Sequence, residues 1–369
     1  MTSLQAHSSV RADQAHVLVH TIVEHMQEHE LEPRLEEERW VLSYAEGIGS
    51  LWQEAGHIHL HVTAPTLDAL HDLKLILAHV VLDVTDSDDD ALSWQGDGNA
   101  LQRPPAFRLL RVLSTRNLTP HMRRVRFACH DLARYDQHEN IHCKLIFPQP
   151  GVSEPEWPTL TSSGMPRFPE GEKRLDVRTY TIQAIDEKAG WMDVDFVVHA
   201  DAGPGSAWAC QAAPGQTIGM SGPGGRTATQ ADWMLLAGDD TALPAMLRIA
   251  ASLPEHTRGH VFAEIQGPED EQPVQTPPGL QWNWLHRGDT EAGCCNLLQT
   301  AVQSVTWPEP STSKFLWAGA EFQTAQALRN WAKEAKGLEK HEQLIVAYWR
   351  HGLSESEFKS KAKSEPASK

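Results

Sequence analysis

Residues 233–246 read WMLLAGDDTALPAM. WMLLAG is an unbroken apolar run of strand length, as expected of a strand buried on both faces. A short acidic loop follows it, and Ala242 to Ala251 reads as a helix. The pattern recurs downstream: HVFAEI (260–265) is a strand, 266–280 a loop-rich segment, Trp282 to Leu285 a short strand and 291–304 a helix. KFLWAG (314–319) is a further strand, Phe322 to Lys336 a helix and Gln343 to Tyr348 a last strand. Strands alternating with helices imply a parallel sheet with crossover helices. Residues 229–355 are therefore read as an α/β domain, and the polar stretch 356–369 as a frayed tail.

Upstream the character changes. Phe107 to Val112, Arg123 to Phe127, Ile141 to Phe147, Arg178 to Ile185 and Met192 to Val198 are short β-like runs separated by turn signals. They make residues 106–228 a small antiparallel β-barrel. A Pro-, Ser- and Gly-rich stretch from Pro148 to Gly171 reads as a surface loop within it. Residues 91–105 are turn-rich, as a linker is. Residues 1–90 hold a helix over 14–30, strands at Arg39 to Tyr44 and Gly56 to Thr63, and a helix over 66–80. That order makes a small α+β domain.

Charge separates this domain from the rest. Residues 1–100 carry 4 Lys or Arg against 18 Asp or Glu, a net of −14 out of −17 for all 369 residues. An acidic field of this size repels nucleic acid and anionic membranes. No segment has the roughly 18 apolar residues that span a bilayer, and the first residues lack the apolar run of a secretory signal. A cytoplasmic protein without nucleic-acid binding or stable membrane insertion is expected, and no oligomeric state is read from the chain. The five cysteines lack CxxC spacing, and the adjacent Cys294 and Cys295 do not easily aim at one metal, so no metal site is expected.

Four segments carry chemistry. In Arg178-Thr179-Tyr180-Thr181 on a barrel strand, alternate residues share a face. Arginine offers a donor fork for a pyrophosphate, and tyrosine a ring to cover a flat heterocycle. The second segment runs from His199 through Gly203-Pro204-Gly205-Ser206 to Trp208. There a strand enters a turn and a helix start, where N–H groups meet phosphate oxygens. Ser206 caps or binds, and Trp208 covers a ring or packs. The third, Gly215 to Arg226 with SGPGGR at its end, is a glycine-rich phosphate loop or a connector between domains. The fourth, Leu235 to Met246, places Gly238, Asp240, Thr241 and Ala242 where nucleotides bind at the carboxyl ends of parallel strands. Thr241 and Asp240 also suit a helix cap.

In combination and order, these segments resemble the siderophore-interacting protein family, FAD-containing ferric-siderophore reductases of the ferredoxin-reductase superfamily. The resemblance runs from about Phe107 to Gly352. It includes KLIFP (144–148), RTYT, the GPGSAWA turn, GPGG, LLAGDDTALPAM, Trp317-Ala318-Gly319 and YWRHG (348–352). The first 90 or so residues are similar to a small acidic domain of unassigned function found fused to such reductases.

The resemblance implies FAD in the barrel and NADH or NADPH on the sheet. It places Arg178, Tyr180 and Thr181 at the flavin, with Thr181 near N5. It puts His199, Gly203, Ser206 and Trp208 at the phosphate and adenine end, and Gly238, Asp240, Thr241, Ala242 and Tyr348 on the nicotinamide side. Lys144, with Arg248 and Arg350, would attract an acidic ferric siderophore or other ferric chelate. The chain departs from the family pattern at Gln183, where another arginine is usual, and at Ala320, which separates Gly319 from Glu321.

The activity implied is electron transfer from NAD(P)H through FAD to a ferric siderophore, releasing Fe(II). A broad-specificity ferric-chelate or free-flavin reductase, and a non-catalytic flavin or siderophore binder, remain open alternatives. The residues do not choose the siderophore class; Glu264, near a strand end, tilts toward NADH. In GHIHLH (56–61), His57, His59 and His61 share one strand face, as a metal site or a polar sheet face.

Overall fold

The computed structural model describes residues 3–28, 31–44, 46–199, 203–353 and 357–358. Most of the expected polar tail lies outside them. The chain separates into two compact units, Met1–Phe107 with Pro148–Leu175, and Arg108–Phe147 with Asp176–Lys369.

The first unit contains strand β1 (Leu4–Arg11), helix α1 (Ala15–Glu28), strands β2 (Arg34–Glu36), β3 (Arg39–Tyr44), β4 (Gly47–Glu54) and β5 (His57–Ala64), helix α2 (Leu67–Val84) and the short β6 (Gln95–Gly96). The sheet order is β2-β3-β4-β5-β1-β6, antiparallel throughout. Alternation drives it: Ile58, Leu60 and Val62 of β5 face the core while His57, His59 and His61 face outward. Ile22, Met26, Leu73 and Leu77 of the two helices complete that core. Strand β1 escapes a pattern search because its inward positions are Ala6, Ser8 and Val10, two of them small or polar. Ser8 is satisfied by donating to the Ser93 carbonyl at 2.7 Å.

The stretch read as a linker is part of this core, since Leu92 and Trp94 are buried in it. The stretch read as a surface loop also belongs here and forms a hairpin, β10 (Thr159–Leu160) with β11 (Pro166–Arg167). Trp94 holds it: its backbone N–H donates to the Ser162 carbonyl at 3.2 Å, and its indole N–H to the Ser163 carbonyl at 2.9 Å. Ser162 returns a bond to the Leu92 carbonyl at 3.0 Å. A lone tryptophan among polar residues has no period, so only the fold reveals where it goes.

In the second unit, β7 (Phe107–Thr119), β8 (Met122–Ala128), β9 (His142–Pro148), β12 (Leu175–Asp186), β13 (Trp191–Val197) and β14 (Thr217–Gly224) close a barrel in the order β12-β13-β8-β7-β14-β9. Helix α3 (Pro204–Gln211) follows β13. Much of the glycine-rich stretch read as a phosphate loop or connector is β14, with Ile218 and Met220 in the barrel core.

Strands β15 (Trp233–Gly238), β16 (Arg258–Ile265), β17 (Gly279–His286), β18 (Lys314–Glu321) and β19 (Gln343–Trp349) form a parallel sheet ordered β17-β16-β15-β18-β19. Helix α4 (Leu243–Ser252) packs with Met234 and Leu236 on one face. Helices α5 (Leu297–Ser304) and α6 (Phe322–Glu334) pack with Leu235 and Ala237 on the other. The fold is thus the expected α+β piece, antiparallel barrel and parallel sheet. Among the described residues no helix is long and apolar enough to cross a membrane.

Candidate functional site

On the barrel, β12 carries Arg178, Thr179, Tyr180 and Thr181; Thr179 is exposed and Thr181 buried. The Tyr180 ring packs 4.5 Å from Phe196 and 6.3 Å from Phe147, centroid to centroid. Its hydroxyl occupies the space where any side chain on Gly205 would begin. That contact, rather than an unusual backbone angle, demands glycine there. One residue on, Ser206 is 7% exposed and its Oγ has no hydrogen-bond partner. It sits in the first turn of α3, where Gly203 supplies no side-chain cap. A buried hydroxyl in the first turn of a helix, where backbone N–H groups have no intrahelical acceptor, fits a phosphate group.

Trp208 packs on the barrel core while part of its surface stays accessible. It stacks on Phe127 at 6.0 Å with the planes 13° apart, and lies 5.4 Å from Phe147. Arg178 Nη1 donates to the Val177 carbonyl at 2.8 Å. His199 and Lys144 are exposed, and residues 200–202 lie outside the described set.

On the sheet, the order reverses between β15 and β18, where Gly238 pairs with Gly319. A Cβ on Gly238 would stand 2.6 Å from Ala242 Cβ and 2.8 Å from the Gly319 carbonyl. Beyond these glycines lies Asp239, which the motif reading passed over. Its Oδ1 accepts from the Thr241 N–H at 3.0 Å and from the Thr241 hydroxyl. Its Oδ2 accepts from Glu321 N at 3.0 Å and Trp349 Nε1 at 2.9 Å. Burial first, and then the charge of Asp240, push the Asp239 carboxyl up to about 7. Asp240 pairs with Arg287 at 2.7 Å, both side chains being nearly buried.

Glu321 is 2% exposed: it caps α6 by accepting from Gln323 N, and accepts from His351 N at 3.2 Å. Glu264 is also buried: desolvation raises its pKa, and the Cys295 thiol, Arg287 and the Leu298 backbone offset part of that rise. It is engaged inside the protein rather than presented to a ribose.

Two residues join barrel and sheet. His142 of β9, absent from the sequence-read site, lies between the Thr181 hydroxyl (Nδ1, 3.2 Å) and the Tyr348 hydroxyl (Nε2, 3.2 Å). Burial lowers its pKa to about 4, with Arg248 adding to the effect. Arg248 of α4, read as a chelate-binding residue, donates to the Gln137 carbonyl at 2.6 Å, the Tyr135 carbonyl at 3.4 Å and the Ile182 carbonyl. The structure therefore gives it a bracing task, since guanidinium donors spent on three carbonyls of the barrel are not offered to solvent. Arg350 lies over the Phe322 ring at 4.4 Å.

No spacing rule finds His142 or Asp239, because each is defined by partners from other strands. Gly205 and Gly319 lay within quoted motifs, and their significance is steric.

Two family models match the chain: the siderophore-interacting FAD-binding domain over residues 111–227 and the siderophore-interacting protein over 231–352. The first hundred residues lie outside both. An uncharacterised protein of Mycobacterium tuberculosis is 33% identical over 261 residues, 67% of this chain and 92% of that protein. The ferric vibriobactin reductase ViuB of Vibrio cholerae is 27% identical over 262 residues, 68% of this chain and 92% of ViuB. The crystal structure of a siderophore utilization protein from T. fusca aligns with a TM-score of 0.58 at 32% identity, covering 67% of this chain and 94% of that one.

Proposed function

Because this chain belongs to the siderophore-interacting protein family, we propose that it is an FAD-dependent reductase that transfers electrons from NADH or NADPH to a ferric siderophore. The observation that carries this reading is the buried, unpartnered Ser206 hydroxyl at the uncapped start of α3, beside Tyr180. Among the side chains around it, that is a place built for the anionic part of a cofactor.

Arg178, Tyr180, Thr181, Gly203 and Ser206 would hold the FAD, with His199 and Trp208 flanking them. Gly238, Asp240, Thr241, Ala242 and Tyr348 would form the nicotinamide side. When bound there, FAD would supply the redox chemistry the side chains lack, coupling a two-electron hydride donor to a one-electron ferric acceptor. Hard anionic oxygen donors hold Fe(II) less firmly than Fe(III), so reduction loosens the chelate.

The protein's own residues position and shield. His142 orients the Thr181 hydroxyl through its ring, and burial keeps that ring neutral near pH 7. Tyr348 closes the opposite side of His142. Arg248 ties α4 to the barrel through three backbone carbonyls, holding the two halves in one unit. Lys144, exposed on β9, would attract an anionic chelate, with Arg350 the second candidate for the same task. Neither ligates iron, and the reaction as proposed requires no nucleophile.

The test is direct. The purified protein should be yellow or take up added FAD, NADH or NADPH should bleach it anaerobically, and a ferric siderophore should restore the colour with formation of Fe(II). A protein that binds no FAD, or whose bleached flavin is not reoxidised by any ferric chelate, overturns the proposal. Comparing several chelates and both nucleotides assigns the siderophore class and the reductant. Cytoplasmic location is part of the same proposal and is checked by fractionation.

A further inference from the structure

Glu291, Cys294 and His351 take no part in the contacts described above, apart from the His351 backbone. They bring a carboxylate oxygen, a thiol sulfur and an imidazole nitrogen within 4.8 Å of one another. Among the described residues this is the group of three or more His, Cys, Asp or Glu that converges so closely; the outward histidines of β5 form no such group. Three different ligand types from two separate segments meet at one point on the surface.

Residues that ligate nothing set this geometry from behind. Glu291 to Cys294 is a tight turn, closed by Cys294 N donating to the Glu291 carbonyl at 3.1 Å. Gly293 within it has φ 77°, a region that disfavours other residues. A Cβ there would come within 2.9 Å of the Trp349 ring and 2.8 Å of Glu321 Cγ, so the turn is pressed against the end of β19. His351 lies two residues beyond Trp349. Its N–H is held by Glu321, and the Trp349 indole by Asp239. The ring and the Glu291 carboxylate already face each other, Nε2 to Oε1, at 3.0 Å.

The neighbouring cysteines divide. Cys295 turns toward the buried Glu264, to which it is bonded, while Cys294 is exposed beside Glu291. The adjacent pair therefore does not compete for one ion. This removes the objection that their adjacency raised in the sequence, because only one of the two is needed.

We infer that Glu291, Cys294 and His351 bind one divalent transition-metal ion of borderline softness, with a fourth position open to water or an oxygen donor. Thiolate and imidazole select ions such as Fe(II), Zn(II) or Co(II) over Mg(II) or Ca(II), and three protein ligands with one open position are typical of an accessible site. Binding releases the Cys294 thiol proton, and a second proton when the imidazole is charged. No electron changes hands. Naming Fe(II) as the ion in the cell rests on the proposed reductase function, which would release it nearby; the site itself does not.

The full-length protein, freed of metal and under anaerobic conditions, should bind Co(II) with thiolate-to-cobalt charge-transfer absorption. Cys294→Ser should abolish that band with the circular dichroism unchanged. His351→Ala should weaken Co(II) binding at least about tenfold, the scale on which losing even a supporting group acts. Fe(II) and Zn(II) should each slow alkylation of Cys294, followed by peptide mass.

Absence of the band together with unprotected Cys294 overturns the inference. So does Co(II) uptake with no thiolate band that survives Cys294→Ser, which would place the metal elsewhere, for example on the histidines of β5. A protein that binds Co(II) through Cys294 but reduces no ferric chelate keeps the site and loses the reductase reading. An active reductase lacking the band loses the site alone.

Discussion

The hydroxyl of Tyr348 lies 3.2 Å from Nε2 of His142. The last strand of the parallel sheet is thereby bonded to the barrel strand next to RTYT. In the tautomer that accepts the phenol proton at Nε2, the ring proton sits on Nδ1, which faces Thr181 Oγ1. Tyr348 is partly buried, and desolvation of its hydroxyl raises its pKa, so the phenol keeps its proton at physiological pH.

The His142 ring makes stability depend on pH in a defined direction. Its pKa is lowered from 6.5 to about 4 in the folded state, so between those values the unfolded chain holds the extra proton. Stability therefore rises with pH from about 4 to 6.5 and is fully present above that range. The whole effect is on the order of 3 kcal/mol. His71, also lowered to about 4, adds a contribution of the same sign from the first unit. Urea midpoints of the wild type and His142→Asn across this range should show a shallower slope in the variant. An unchanged slope would assign the titration to other groups.

Asp239 acts with the opposite sign. A carboxyl raised from 3.8 to about 7 stabilises the fold below its unfolded pKa, and that contribution is lost as pH rises through about 7. Asp239→Asn has no such titration and serves fewer of the four donors, with a loss of roughly 1–3 kcal/mol where the wild-type group is protonated. The stability advantage of wild type over variant should shrink as pH rises from 4 to 7. Chemical denaturation at several pH values checks it, and an advantage that grows with pH contradicts the assignment.

Gly205→Ala should destabilise the barrel by roughly 1–3 kcal/mol, because a methyl group there overlaps the Tyr180 hydroxyl and the core has no room to spare. Tyr180→Phe in the same chain should recover part of that loss. A double-mutant cycle measures the coupling. Additive effects would mean that the two residues do not press on one another.

Arg248 and Lys144 should separate in kinetics. Arg248→Met strands carbonyls of Tyr135, Gln137 and Ile182, and should lower stability by roughly 3 kcal/mol without selectively raising KM for a ferric chelate. Lys144→Gln changes an exposed residue and should leave stability within about 0.5 kcal/mol. It should raise KM for anionic ferric chelates, an effect that fades with salt. The reverse pattern would return Arg248 to the substrate and make Lys144 a bystander.

The sequence alone determined the parallel sheet and most of the barrel strands, and it singled out the segments proposed to build the site. Continuous apolar runs such as WMLLAG, alternation such as HIHLHVT and the glycine-rich turns are local signals, written in consecutive residues. It also identified the family through RTYT, GPGSAWA and LLAGDDTALPAM taken in order. Only the tertiary structure decided which polar residues are buried, and against what. His142 meets Thr181 39 positions away and Tyr348 206 positions away. Trp94 finds its carbonyl partner 69 positions downstream, in a stretch with no pattern of its own. Arg248 had the composition of a surface charge and became a brace. A histidine, aspartate or arginine looks the same in a sequence whether it is solvated or enclosed. Its proton affinity and its task are set by the dielectric and the partners that folding brings around it.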